Sequence, residues 1–329
     1  MACRRRIKLE KRFEALVLSF LLKRIAATLP VLAVVAVFVF MLLRLTPGDP
    51  AAIMAGDAAS TEQIAQIRAS LGLERSIPAQ FGIWVSNLLQ GDLGESFYYK
   101  SKVTTLIAQR LEPTMMLALV TIIVAVCVAV PLGTLAAWRI GGWLDRALMG
   151  FSVLGFSIPI FVLGYILIYL LAMKANLLPV QGYIKLGDPS GSTLKHLILP
   201  AMTLSCIYIA LIARVTRATV SEVLTEDYIR TARAKGLPER VVLMRHALKN
   251  AAVPIITVIG IGVALLIGGV VVTESVYGIP GLGRLTVDAV LARDFPTIQG
   301  VIMFFSFIYV VVNLLVDLSY VLFDPRIRY

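Results

Sequence analysis

The feature that most restricts this chain is a set of six apolar runs, at about residues 25–43, 114–137, 149–173, 197–213, 252–273 and 300–323. A bilayer core about 30 Å thick is crossed by roughly 20 mostly apolar helical residues. The fourth run is the shortest and is expected to borrow a turn beyond Arg214. Composition agrees, since hydrophobic residues make up 58% of the 329 positions and charged residues only 16%. Soluble domains are nearer half apolar and a quarter charged. Barrel strands alternate polar and apolar residues, whereas these runs are apolar on all sides. The expectation is an all-α membrane protein with six transmembrane helices and a long external loop after the first.

Charge placement orients the bundle. The formal net charge is +11, but basic residues concentrate in alternate loops, as the positive-inside rule requires. The basic head 1–24 carries Arg4, Arg5, Arg6, Lys8, Lys11, Arg12, Lys23 and Arg24, and segment 214–250 carries another such group. The turn 138–148 adds Arg139 and Arg146, and the tail 324–329 adds Arg326 and Arg328. Both termini are therefore expected in the cytoplasm. The charge reports topology, with no nucleic-acid partner implied. A secretory signal has an apolar stretch of only about 7–15 residues ending at small ones. The run 25–43 is longer and continues into Arg44-Leu45-Thr46-Pro47, so it reads as a retained anchor. Cys3, Cys127 and Cys206 fall in the head and inside spans, which gives no disulfide framework and no metal-ligand spacing.

The external loop 44–113 is long enough to hold structure of its own. Ser60 or Thr61 is placed to cap a helix through Ser70, with Gly72 beyond its end. Pro78 is placed to start a second helix, in which Phe81, Trp84, Val85 and Leu88 share one face. Such a helix either lies in the membrane interface or packs on the bundle. The later loop Gly278-Ile279-Pro280-Gly281-Leu282-Gly283 is glycine-rich, but no Lys-Ser/Thr follows and no strand precedes it. It is not a phosphate loop.

Within the spans, Gly260, Ala264 and Gly268 form a small-residue stripe. Stripes of this kind serve close helix packing, or here alternatively a narrow pathway. Pro131 and Pro159 are expected to kink spans two and three. Asp317, with Asn313 one turn before it, is an acid inside the last span. An intramembrane carboxylate must be paired or face water. Arg139 or Arg214 is the expected partner, and proton coupling is the alternative role.

Enzyme chemistry finds no support. Two histidines, His196 and His246, rule out an H-E-x-x-H zinc site, and neither a G-x-S-x-G elbow nor a G-x-x-x-x-G-K-[ST] loop occurs. Energy for uphill transport would have to come from an ion gradient or from another chain. Residues 214–250 bear on that choice. Helix is expected over 219–234, broken at Gly236-Leu237-Pro238-Glu239, with Pro238 at the start of a second short helix. The small corner residues Ala232, Ala234 and Gly236 suit a docking surface.

That corner carries a resemblance. Tyr228-Ile229-Arg230-Thr231-Ala232-Arg233-Ala234-Lys235-Gly236-Leu237 resembles the cytoplasmic loop signature of binding-protein-dependent ABC importers, whose general form is E-A-A-x-x-x-G followed by I-x-L-P. Arg230 and Thr231 stand in place of the glutamate and first alanine, and His246, Leu248 and Lys249 in place of the later I, L and P. The motifs Leu45-Thr46-Pro47-Gly48-Asp49-Pro50, Gly91-Asp92-Leu93-Gly94-Glu95-Ser96, Glu274 to Gly283, and Asp324-Pro325-Arg326-Ile327-Arg328 also resemble the oligopeptide/dipeptide/nickel branch. The long first loop resembles the first of that branch's two permeases.

The resemblance implies a type I ABC importer permease in a bacterial inner membrane. It further implies a second, unlike permease, two cytoplasmic ATPase subunits and a periplasmic solute-binding protein as partners. No cofactor is implied on this chain; ATP and Mg belong to the partner ATPases. Alternating access would move di- or oligopeptides inward, with nickel chelates or glutathione as alternative cargo and a proton-coupled carrier as the alternative class. Residues Arg230, Thr231, Ala232, Arg233, Ala234, Lys235, Gly236, Leu237, Pro238, Glu239 and Arg240 would form the coupling loop.

Overall fold

A computed structural model describes residues 23–323 apart from 25, 43, 46–49, 56–58, 71 and 190. The basic residues of 1–22, Cys3, the turn 46–49 and the tail 324–329 lie outside the described residues. Among the described residues the chain is helical, with one isolated bridge between Glu95 and Lys102. In order the helices are α1 (Ala26–Leu42), α2 (Pro50–Ala55), α3 (Thr61–Ser70), α4 (Ile77–Leu89), α5 (Val103–Trp138), α6 (Trp143–Ser157) and α7 (Ile160–Lys174). There follow α8 (Thr193–Leu224), α9 (Asp227–Ala234), α10 (239–250, π-helical over Val242–Ala247), α11 (Ala252–Val276), α12 (Leu282–Leu291) and α13 (Phe295–Phe323).

Four of these, α5, α8, α11 and α13, are long and apolar enough to cross a membrane, and α6 with α7 make a fifth if the bent pair counts as one span. The described part of the first run, α1, is shorter. Several boundaries differ from the expected ones. The loop after the first run gives way to helix at Val103, because Pro113 sits inside α5 and does not begin it. An internal proline forfeits one ladder bond, and a long apolar helix absorbs that loss. The third run is two helices meeting at 106°. Ile158 and Pro159 are extended there, as a residue before proline tends to be. The fourth helix continues past Arg214, as expected, and runs unbroken to Leu224, so the helix expected over 219–234 is split at Thr225 and Glu226.

Contacts divide the described chain into two compact units, one of residues 23–108 and 288–318, the other of 109–287 and 319–323. In the first unit, α4 packs and does not stand alone. Phe40 of α1 meets Phe81 edge-on at 5.1 Å and lies 5.8 Å from Trp84. Trp84 and Leu88 also pack on a small core of Ala36, Val39 and Met303. Arg44 donates to the Phe40 carbonyl at 2.9 Å and to the Gln80 side chain, which in turn donates to the Arg75 carbonyl at 2.7 Å. The Phe81, Trp84, Leu88 face is therefore a packing face.

In the second unit α8 is the central helix, with residues buried along its length from Leu197 to Val220. Leu117, Ala125 and Ala129 of α5, Ile168 and Ala172 of α7, and Val258, Leu266 and Val270 of α11 surround it. Small residues let α11 approach α8, and the two closest contacts are made by Gly262 and Gly269, beside the expected stripe. A methyl on Gly269 would lie 3.1 Å from Leu204 and one on Gly262 would lie 3.4 Å from Tyr208. Gly260 is buried and Ala264 half-buried, while Gly268 is exposed with nothing within 4 Å of such a methyl.

Candidate functional site

The segment 214–250 folds as an extension of α8 followed by a bracket. Thr225 and Glu226 break the helix after Leu224, and α9 then runs from Asp227 to Ala234. Its two faces differ sharply. Ile229 and Ala232 are buried in an apolar cluster with Ala137 of α5, Val220 of α8, and Val242, Ala247, Ala251 and Ile255. Arg230, Thr231, Arg233, Ala234, Lys235 and Gly236 are exposed. Ala232 therefore serves close packing within the chain, and of the three small corner residues only Ala234 and Gly236 face outward. A helix with two inward residues one turn apart is seated like a lid on its own core.

The corner is held by local bonds. Gly236 has φ +77°, a left-handed conformation that costs an L-residue roughly 1–2 kcal/mol. Its amide donates to the Arg233 carbonyl at 2.9 Å. Arg233 reaches across the corner to Glu239, with Nε–Oε1 at 2.8 Å and Nη2–Oε2 at 3.2 Å. Pro238 precedes Glu239 at the start of α10, as its fixed φ allows. Leu237 and Arg240 are exposed at the same corner. Asn250 then donates to the Tyr228 hydroxyl at 3.0 Å, tying the far end of α10 back to α9. The result is a compact, two-armed element whose outer surface is basic.

Asp317 of α13 is paired, but with Arg24 at 3.0 Å and not with either expected arginine. Arg139 lies over the Trp138 ring at 4.7 Å and Arg214 over Phe156 at 5.1 Å. Asn313 donates to the Tyr309 carbonyl one turn back, at 3.0 Å.

Several acids that sequence reading passed over organise the rest. Glu274, fully buried at the end of α11, accepts from the Thr114 hydroxyl at 2.6 Å and the Arg284 amide at 3.0 Å. Thr114 in turn accepts from the Leu282 amide at 2.8 Å. The loop Gly278 to Gly283 thus wraps a carboxylate of its own chain. Asp294 accepts from Ser96 at 2.5 Å, Thr297 at 2.6 Å and the Phe97 amide at 3.2 Å, which anchors the Gly91 to Ser96 motif. Glu112 holds the loop after α7 through Tyr183 at 3.0 Å and the Leu186 amide at 2.8 Å. Burial, and then the Glu112 carboxylate, push the Tyr183 phenol above its usual range. The one signal that would have found Glu274 is an acid standing directly after an apolar run and before a glycine-proline turn.

Comparison with known proteins gives concordant matches. Residues 129–329 match the family described as binding-protein-dependent transport system inner membrane component, and residues 17–118 match its N-terminal counterpart. A probable peptide ABC transporter permease, y4tP, of Sinorhizobium fredii is 53% identical over 94% of this chain and 99% of its own. A putative peptide transport system permease of Brucella abortus is 43% identical over 94% of this chain and 99% of its own. The glutathione transport system permease GsiC of Pectobacterium atrosepticum is 42% identical over 95% of this chain and 99% of its own. A chain from the MetNI methionine ABC transporter in an inward-facing conformation shares the fold, with TM-score 0.56 and 16% identity over 67% of this chain and 96% of that one.

Proposed function

We propose a function that starts from kinship: the chain belongs to the family of binding-protein-dependent transport system inner membrane components. It is a multi-pass inner-membrane permease subunit of an ABC importer, and its cargo is di- or oligopeptide. The observation that carries the cargo reading is the 53% identity, over 94% of this chain, to a probable peptide permease. Members of this family are permeases, so the solute-binding protein and the ATPase are separate chains. In the finer reading the chain has six spans with both termini in the cytoplasm. It pairs with a second, unlike permease above two ATPase subunits, on which ATP and Mg reside.

The bracket 227–240 is the coupling element in this reading. Support comes from its two faces: Ile229 and Ala232 lock it to α5 and α8, and Arg230 and Lys235 stand outward for a partner. Such an element transmits ATPase closure only if its corner is stiff, and the Arg233–Glu239 fork supplies that stiffness. Coupling requires that the partner bind it differently in the two states.

The test is reconstitution with the partner permease, the ATPases and the binding protein, offered peptides, glutathione or nickel chelates. Peptide-loaded binding protein should stimulate ATP hydrolysis and uptake. Stimulation by nickel chelates alone, or uptake without any ATPase, would overturn the reading. Gly236→Asp puts a charged L-residue at the left-handed corner. Insertion and assembly should survive, while uptake falls by about tenfold or more, within the roughly 5–150-fold range of coupling effects. Normal vesicle uptake by that variant would remove the coupling role from this corner.

A further inference from the structure

The ion pair between the buried Asp145 and the half-buried Arg217 has no part in the function so far described, and its place in the fold is specific. Arg217 grips Asp145 with both ends of its guanidinium, Nε–Oδ1 at 2.9 Å and Nη2–Oδ2 at 2.8 Å. The Gly141 amide donates to the same carboxylate at 2.9 Å. Asp145 lies in the first turn of α6, where a helix favours negative charge, and its side chain is only 6% exposed. A planar fork on a carboxylate fixes orientation as well as distance, which a single lysine contact does not.

The pair sits where motion of the bracket would enter the spans. From Arg217, α8 continues through Val220 to Leu224, about 10 Å at 1.5 Å per residue. Val220 shares the apolar cluster that holds Ile229 of α9. On its other side, α8 is pressed against α5 at the same level: a methyl on Gly133 would lie 2.6 Å from the Ala213 carbonyl oxygen and 2.8 Å from Thr216. Toward α6, Ser152 also donates to the Ala210 carbonyl at 3.3 Å. The glycine contact admits α8 close to α5 but does not stop it from turning or sliding. The fork does, because it fixes one point of α8 to the turn that joins α5 and α6.

We propose that Asp145 and Arg217 are positioning residues for coupling: their fork makes α5, α6 and α8 one lever, so that displacement of α9 reaches the spans undiminished. This inference rests on the coupling role proposed above. Without the fork, α9 still binds its ATPase through residues the pair does not touch, but α8 yields at Arg217 and the stroke is lost between bracket and spans.

The experiment uses the full reconstituted complex carrying Asp145→Asn, with Arg217→Lys as the second variant. Three quantities are read: ATPase retained on purification, hydrolysis stimulated by peptide-loaded binding protein, and peptide moved per ATP hydrolysed. Asp145→Asn should keep the ATPase bound, while peptide moved per ATP falls by about tenfold, within the range known for coupling energies. Arg217→Lys keeps the charge and loses the fork, so its ratio should fall by a smaller factor. Spin labels at Trp143 and Met244, both exposed and outside the proposed docking corner, should give a broader distance distribution in Asp145→Asn than in the otherwise unaltered protein. If either variant reduces only the yield of complex, with a normal ratio per assembled complex and an unchanged label distance, the pair is a stabilising contact and the inference is overturned. If the unaltered complex shows no stimulated hydrolysis, the importer reading itself fails, and this inference with it.

Discussion

Replacing Gly283 with alanine should strip this protein from the assembled, detergent-stable fraction. A methyl at that position would lie 2.5 Å from the Val271 Cα, 2.9 Å from its nitrogen and 3.0 Å from Glu274 Oε2. The first two are backbone atoms inside α11, which cannot rotate aside as a side-chain tip would. The corner between α11 and α12 would have to open instead. Opening it breaks the Arg284–Glu274 and Leu282–Thr114 bonds, at 3.0 and 2.8 Å. Overpacking costs about 1–3 kcal/mol, and each buried polar group left without a partner adds roughly 1–3 kcal/mol. The loss is therefore a large part of a typical folding free energy. Thermal unfolding of the purified protein checks it, with Gly268→Ala as the control. Gly268 has open space around it, so its variant should melt like the unaltered protein. Equal melting of the two variants would mean that the corner is not packed as described.

Asp294→Ala should produce the second large loss, in the other unit. Asp294 is 1% exposed and is the acceptor for the Ser96 and Thr297 hydroxyls and the Phe97 amide. Removing it strands three donors, at about 1–3 kcal/mol each if none finds water. Ser96 also accepts from the Tyr99 amide at 2.9 Å, so the tight turn 96–102 should loosen as a whole. Limited proteolysis reads that directly, with cleavage between Ser96 and Lys102 appearing in Asp294→Ala. Asp294→Asn keeps one carbonyl acceptor and should fall between the two. Resistance to cleavage in both variants, with unchanged melting, would show that the turn is held by other contacts.

Neither acid was legible as an anchor before the fold was known. Glu274 and Asp294 each stand next to an apolar helix, which marks them as costly, but the partner of each lies far along the chain. Thr114 is 160 positions from Glu274, and Ser96 is 198 from Asp294. Asp317 makes the same point by contrast. That it needs a partner followed from its place in an apolar run; which arginine answered did not, and Arg24 stands where Arg139 or Arg214 was expected. The glycines of α11 are a related case. Spacing of four shows that small residues share a face, but only the packed neighbour decides which face is used, and α8 meets Gly262 and Gly269.

The basic bracket lies between these cases. The break at Gly236, the proline start at Pro238 and the outward arginines were all local properties and all readable in order. The inward turn of Ala232 was not, because it depends on Val220 and Ala137 arriving from two other helices.

By itself, then, the amino-acid order determined what depends on neighbours in sequence. It set the apolar runs and their helical state, the break at Pro159, the shared face of Phe81, Trp84 and Leu88, and the basic corner motif at Tyr228 to Leu237. Helix length, proline geometry and capping act over a few residues, so their signals survive without the fold. The tertiary structure decided the partners: Glu274 with Thr114, Asp294 with Ser96, Asp317 with Arg24, and Asp145 with Arg217. Each buried charge must be satisfied by whatever packing brings within 3 Å or so, and no local rule states which helix that will be.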